Sequence, residues 1–310
     1  MRFDRRLSAA MLAELAEGGC LAPLVERRNA EPQLLDVQAR RDGAGRRCWI
    51  SLYAGLSSVL DVDERRGLFR LRAHPTYQRL AGFDPAWTSW MRPDALARGW
   101  RGVDNYLDRV LSDSEVLPRY LGREGRVHPL MCSGGSSEYR IIQREAVVAF
   151  RDKATRSSVV EGLMARLHKA VAATGRADPW WPGVRDRGVL PRLGPEADLL
   201  GVDDDGRLLV IEAKPHDELK GIVWAPAQVA VYGELFARLL DETGDATDLL
   251  NEMLDQRTAL GLTAPGGSIQ RPIRVVPVVA IGPGPLPQAA LARLSVVHAA
   301  VHDAFANTAV

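Results

Sequence analysis

Asp198, Glu212 and Lys214 are the side chains of this sequence best suited to chemistry, because a hairpin between them would bring two carboxylates and an ammonium to one end of a sheet. The run Glu196 to Val202 is of strand length and apolar, Asp203-Asp204-Asp205-Gly206 is a turn, and Arg207 to Lys214 is a second apolar strand. Side chains alternate along a strand, so Glu212 and Lys214 share a face and Asp198 faces them from the start of the first strand. Grouping three charges is costly unless a cation or a ligand compensates them. Hard carboxylate oxygens suit Mg²⁺ or Mn²⁺, which accept one or two carboxylates and complete their shell with water and phosphate oxygens. The chemistry expected of such a set is metal-assisted phosphodiester hydrolysis, with Lys214 holding or helping to deprotonate the attacking water.

The flanking segments must position these groups. Trp224 to Phe236 reads as a helix with Pro226 in its first turn, and Gln228 and Tyr232, four apart, share a face near the phosphate-favouring N-terminus. Upstream, Arg156 to Leu167 reads as an amphipathic helix capped by Ser157 or Ser158, with Glu161 in an early turn as a third carboxylate. Glu196 reads as a solvated neighbour. Asp203, Asp204 and Asp205 read as turn chemistry, since the spaced oxygens and distal glutamate of a calcium loop are missing.

This order of elements, helix with Glu161, strand with Asp198, strand with Glu212-x-Lys214, helix with Gln228-x-x-x-Tyr232, strand from Ile273 to Ile281, resembles the core of the PD-(D/E)xK nuclease superfamily. The Gln-x-x-x-Tyr addition is similar to its RecB-like branch. The resemblance spans roughly residues 155 to 285, and Pro195 stands three residues before the aspartate instead of next to it. It implies an α/β, restriction-endonuclease-like core, a mixed central sheet flanked by helices. A divalent metal would be held by Asp198 and Glu212 with help from Glu161, water activation would involve Lys214, and Gln228 and Tyr232 would orient the catalytic groups or the strand. DNA is the substrate favoured, because the resembled family acts mostly on DNA, and a homodimer would serve double-strand cleavage. A catalytically inactive nucleic-acid-binding or assembly module on the same fold is the alternative.

At 310 residues, with 46% hydrophobic and 25% charged residues, the chain has the composition of a globular protein of one large or two modest domains. No apolar run reaches membrane-spanning length and Met1 to Arg6 lacks a secretory stretch, so a cytoplasmic location is expected. Cys20, Cys48 and Cys132 are odd in number and far apart, which suggests neither a disulfide frame nor a zinc site. His298 and His302 have helical metal-ligand spacing without a third partner. Gly134-Gly135 lacks the lysine of a phosphate-binding loop.

Charge divides unevenly. Residues 1–156 hold 26 basic and 20 acidic residues, the remainder 14 and 19, so the first half is the better phosphate-holding surface. A boundary near 150 separates an N-terminal α+β domain (1–150), with a recognition or assembly role, from the nuclease-like domain (151–310). In the first, a helix is expected from Ser8 to Glu17. Strands at Leu34 to Arg40, Arg47 to Tyr53, Ser58 to Val62 and Leu68 to Ala73 should form an antiparallel meander. Arg70 and Arg72 share one strand face and either meet a phosphate backbone or are solvated edge charges. Trp87, Trp90 and Trp100, with Arg92 and Arg101, either stack on bases or belong to a core or a domain interface. A helix is expected from Val103 to Ser112 and a strand from Tyr139 to Phe150. Beyond the hairpin come helices at Ala246 to Leu260 and Gln288 to Phe305.

Overall fold

The computed structural model describes residues 1–42, 47–114, 117–122, 124–133, 138–175, 193 and 196–305. The Gly134-Gly135 loop therefore lies outside the described residues. The elements run α1 (Ala9–Leu15), α2 (Ala22–Ala30), β1 (Leu35–Arg41), β2 (Cys48–Ala54), β3 (Ser57–Arg65), β4 (Leu68–Arg72), α3 (Pro75–Ala81), α4 (Pro93–Leu111), α5 (Leu117–Leu121), α6 (Glu124–Cys132), β5 (Tyr139–Val147), α7 (Lys153–Gly175), β6 (Glu196–Asp203), β7 (Leu208–Lys214), α8 (Leu219–Glu242), α9 (Ala246–Ala259), β8 (Val275–Ile281) and α10 (Gln288–Phe305). The fold is mixed α/β, with two four-stranded sheets flanked by helices.

The chain divides into two compact units, and the division is not a single cut near 150. One unit is Asp4–Gln143 with Leu249–Gly266; the other is Met1–Phe3, Arg144–Asp248 and Gly267–Val310. The excursion of 249–266 has a physical cause. Arg257 of α9 is buried and donates to the carbonyls of Ile141 and Val37 at 3.1 and 3.0 Å, while Leu260 and Leu262 join the core of the first unit. A buried guanidinium must find acceptors, and here it finds backbone ones. Met1–Phe3 go with the other unit because Arg2 and Ala149 exchange backbone hydrogen bonds at 2.8 and 2.9 Å and Phe3 meets Phe236 edge-on.

The first unit carries the expected meander, order β1-β2-β3-β4, antiparallel throughout. Leu35 and Val37, Ile50 and Leu52, Leu60 and Val62, Phe69 and Leu71 point to one face and are buried there with α1, α2 and α4. Trp87 and Trp100 are buried, which gives them core roles. The helix foreseen from Val103 begins ten residues earlier, because Pro93 at the first position starts α4.

The second unit holds the sheet β5-β6-β7-β8, in which β6 and β7 are antiparallel and β7 and β8 parallel. β7 is buried along its whole length, as an apolar central strand should be. Gly206 closes the hairpin at φ +74, and a β-carbon there would meet the Ser268 carbonyl at 2.8 Å. Asp203 accepts from the backbone of Asp205 and Arg207, so the aspartates are turn chemistry. Pro226 is not in a first turn. α8 starts at Leu219, and Pro226 lies inside it on a buried face. Among the described residues no helix is long and apolar enough to cross a membrane.

Candidate active site

Asp198 lies one residue ahead of the first β6/β7 pair, Leu199 with Ile211, and Glu212 follows Ile211 on the facing strand. Each therefore stands where the antiparallel ladder stops. Glu212 and Lys214 pair in register with Val279 and Ile281 of β8, and the backbone N–H of Gly282 donates to the Lys214 carbonyl at 2.8 Å. Two neighbours thus fix the carboxyl end of β7.

The expected convergence of the three groups is present. Lys214 Nζ is 2.7 Å from Glu212 Oε1 and 4.0 Å from Asp198 Oδ2. Asp198 Oδ2 also accepts the backbone N–H of Ala213 at 2.9 Å, which aims the carboxylate across the strands. The side chain of Glu212 is 3% exposed and that of Lys214 9%, while Asp198 at 23% is the member open to solvent.

Tyr232 and Gln228 come to the same place from above. α8 packs on β7 and β8, and Tyr232 is buried on it. Burial pushes the Tyr232 phenol well above the ordinary tyrosine range, and the Glu212 and Asp198 carboxylates push it further; Lys214 and a hydrogen bond with Gln228 offset this only in part. The hydroxyl therefore stays neutral and available to donate. Its sensitivity to both carboxylates and to Lys214 puts five of the six predicted side chains in one electrostatic neighbourhood.

Glu161 is the exception. It is exposed on α7, whose Leu163, Met164 and Leu167 face inward, and among the described residues no three His, Cys, Asp or Glu gather as a metal-binding group. The third carboxylate expected from the sequence is absent from the cluster because the helix turns it to solvent. His298 and His302 have rings 6.0 Å apart and both are exposed, with no third ligand among the described residues. Glu196 is exposed, as expected of a solvated neighbour.

His216 was not singled out by sequence reasoning. It lies two residues past Lys214, and its ring sits on Gly284, where a β-carbon would be 2.3 Å from Cγ. Only the Gly-Pro-Gly-Pro run after β8 hinted that something packs closely there. Compared with protein families, curated proteins and solved structures, the chain matches none.

The donor set can be tested against a cation by its own chemistry. Two carboxylates face one ammonium, so the ionised cluster keeps one negative charge in excess. Both acids offer hard oxygen, and two such ligands are what Mg²⁺ or Mn²⁺ takes from a protein when water and phosphate oxygens fill the other positions. The residues fit that group.

Proposed function

We propose that the protein is a metal-dependent nuclease that hydrolyses phosphodiester bonds, with DNA as substrate, on a restriction-endonuclease-like core of the PD-(D/E)xK type. The observation that carries the reading is the meeting of Asp198, Glu212 and Lys214 at the end of β7, beneath Gln228 and Tyr232. The antiparallel β6/β7 hairpin, the crossover through α8 and the parallel return in β8 support it.

In this reading Asp198 and Glu212 would hold Mg²⁺ or Mn²⁺, and Asp198, the least buried of the three charged groups, would face the entering substrate. The chemistry such an ion would supply there is that of a Lewis acid, which would acidify a water and offset charge on the phosphate. Lys214, kept beside Glu212, donates to the attacking water or to a phosphate oxygen and so sets the line of attack. Tyr232, held neutral, donates from above, and Gln228 fixes its hydroxyl.

Purified protein should nick or cut plasmid DNA with Mg²⁺ or Mn²⁺, and Asp198→Asn should abolish this while retaining the native melting temperature. Unchanged cutting by Asp198→Asn would sink the reading. A second reading, an inactive binding or assembly module, is favoured because among the described residues no third carboxylate joins the cluster. It requires nucleic-acid binding that is indifferent to divalent ions, together with no cutting under any of these conditions.

A further inference from the structure

One face of the meander is apolar and buried; the other is polar, buried at Asp36, Gln38 and Arg40 of β1 and partly exposed toward β3 and β4, where the register lines up what it carries. Across β2, β3 and β4, Trp49 pairs with Asp63 and Asp63 with Arg70; in the next row Ser51 pairs with Asp61 and Asp61 with Arg72. A further segment extends this face. Phe69 and Met91 exchange backbone hydrogen bonds at 2.8 Å, so Met91 follows Phe69 to the core and its neighbour Trp90 falls on the polar side.

Asp63 organises the face. Its side chain is fully buried and accepts from Arg47 at 2.7 Å, Arg70 at 2.8 Å and Arg72 at 2.6 Å. Arg72 also approaches Asp61 at 3.4 Å. Arg47 lies over the Trp49 ring at 5.1 Å and Arg70 over the Trp90 ring at 4.6 Å. All three arginine side chains remain about a third exposed or more.

One buried carboxylate needs one guanidinium. Three meet it, and among the described residues Asp61 is the one other carboxylate at ion-pair distance from them, Asp42 accepting the Arg47 backbone N–H, so guanidinium outnumbers carboxylate in this cluster, which costs self-repulsion unless an anion answers it. Arg70 gives only its Nε to Asp63, and its terminal nitrogens take no partner among the described residues. The array is therefore rigid, outward-facing and cationic, and it alternates with half-exposed indoles. Guanidiniums set for phosphate oxygens beside flat aromatic faces suit unpaired bases strung on a phosphate backbone. The same face opens at its Arg72 end into a cleft of about 420 Å³ of mixed lining, with Ser58, Asp61 and His74 beside Leu56, Pro75 and Tyr77, which is within the size range of small-ligand pockets.

We propose that this sheet face binds single-stranded nucleic acid, with Arg47, Arg70 and Arg72 on phosphates, Trp49 and Trp90 stacking on bases, and the cleft receiving one nucleotide. The site is independent of Asp198 and Glu212. Cutting and binding therefore fail separately: loss of metal-dependent cleavage with binding intact rejects the nuclease reading alone.

The full chain is titrated in chelator with a fluorescein-labelled 20-nucleotide single strand, and anisotropy is followed at several salt concentrations. Wild type should bind, with affinity falling as salt rises. Arg47→Gln, which leaves Arg70 and Arg72 on Asp63, should lower the slope of log affinity against log salt by about 0.7, the value of one single-strand phosphate contact. Trp90→Ala should weaken binding about tenfold, a typical loss for one stacked base, with the slope unchanged, and Trp90→Phe should restore most of it. The Trp90 pair decides the matter if Arg47→Gln does not fold. Absence of binding by wild type overturns the proposal. So do wild-type affinity and slope in folded Arg47→Gln and Trp90→Ala, or displacement of the strand by poly-glutamate at equal charge, which would mark the face as a site for acidic protein.

Discussion

Lys214 Nζ lies 2.7 Å from Glu212 Oε1, and both side chains are almost fully buried at the end of the central strand. A buried ion pair of this kind is weak evidence for stability, since desolvation cancels much of the attraction, yet breaking it strands a charge. The pair is therefore better explained by what it presents to Asp198 than by what it contributes to the fold. Lys214→Met should lower cutting by about 10² to 10⁴-fold, the range for a positioned proton or hydrogen-bond donor. It should also cost about 3–5 kcal/mol, because the buried Glu212 carboxylate loses the ammonium beside it. Mg²⁺ should recover more melting temperature in this variant than in wild type, since an ion binding only the folded state stabilises it. Scanning calorimetry with and without metal, alongside plasmid cleavage, measures both effects.

Glu161→Ala should leave cutting unchanged and stability within about 0.5 kcal/mol, the ordinary range for a surface substitution. The residue is exposed on α7 and belongs to no acidic group of three. A large loss of rate at constant melting temperature would return Glu161 to the metal.

What was legible in the sequence was what local pattern encodes. The β6/β7 hairpin announced itself through two apolar runs of strand length around the Asp-Asp-Asp-Gly turn, and α10 through the Gly-Pro-Gly-Pro run that ends the strand before it. Gln228 and Tyr232 followed from the i, i+4 rule whatever the start of their helix. The start of α8 was misread because proline is common at a first helical turn, whereas here tertiary burial carries it inside. Long-range partners left no local trace. Nothing around Arg257 shows that it will reach Val37 and Ile141, and nothing around Asp63 shows that three arginines will close on it. The orientation of Glu161 was equally hidden, since a helix rotated by one residue would have turned it inward.

Tyr232 should resist alkali. Its folded value is raised, so its stabilising contribution is complete below the unfolded tyrosine value of about 10 and is lost as pH rises through the folded one. Ultraviolet titration of wild type against Tyr232→Phe should show one phenol ionising only as the protein unfolds at high pH. Tyr232→Phe should cost about 1 kcal/mol for the lost hydrogen bond and should slow cutting. A phenol that ionises in the native protein near pH 10 would count against the carboxylate neighbourhood.

Gly284→Ala tests the wall beside the site. Its φ is +148 and the new methyl would lie 2.3 Å from the His216 ring, so backbone strain and a clash act together. The variant should lose about 2 kcal/mol in denaturant titration, and slower cutting should accompany the loss, because His216 follows Lys214 by two residues. Gly244→Ala, where a β-carbon meets nothing within 4 Å, is the control expected to lose little.

Asp63 should dominate the acid response of the meander unit. Burial pushes its carboxyl up, but hydrogen bonds from Arg72, Arg47 and Arg70 outweigh this and hold it below the usual carboxylate range. Its contribution to stability is therefore complete above the unfolded value of about 3.9 and is lost as pH falls through the lower folded one. Asp63→Asn removes the charge while keeping the shape, so three guanidiniums lose their shared counter-ion, and a loss of about 3–5 kcal/mol is expected at neutral pH. In urea titrations from pH 7 to pH 2 the variant should be less stable at the start, with a shallower decline, and should approach wild type at the acid end. Parallel curves for the two proteins would mean that the three arginines do not depend on this carboxylate.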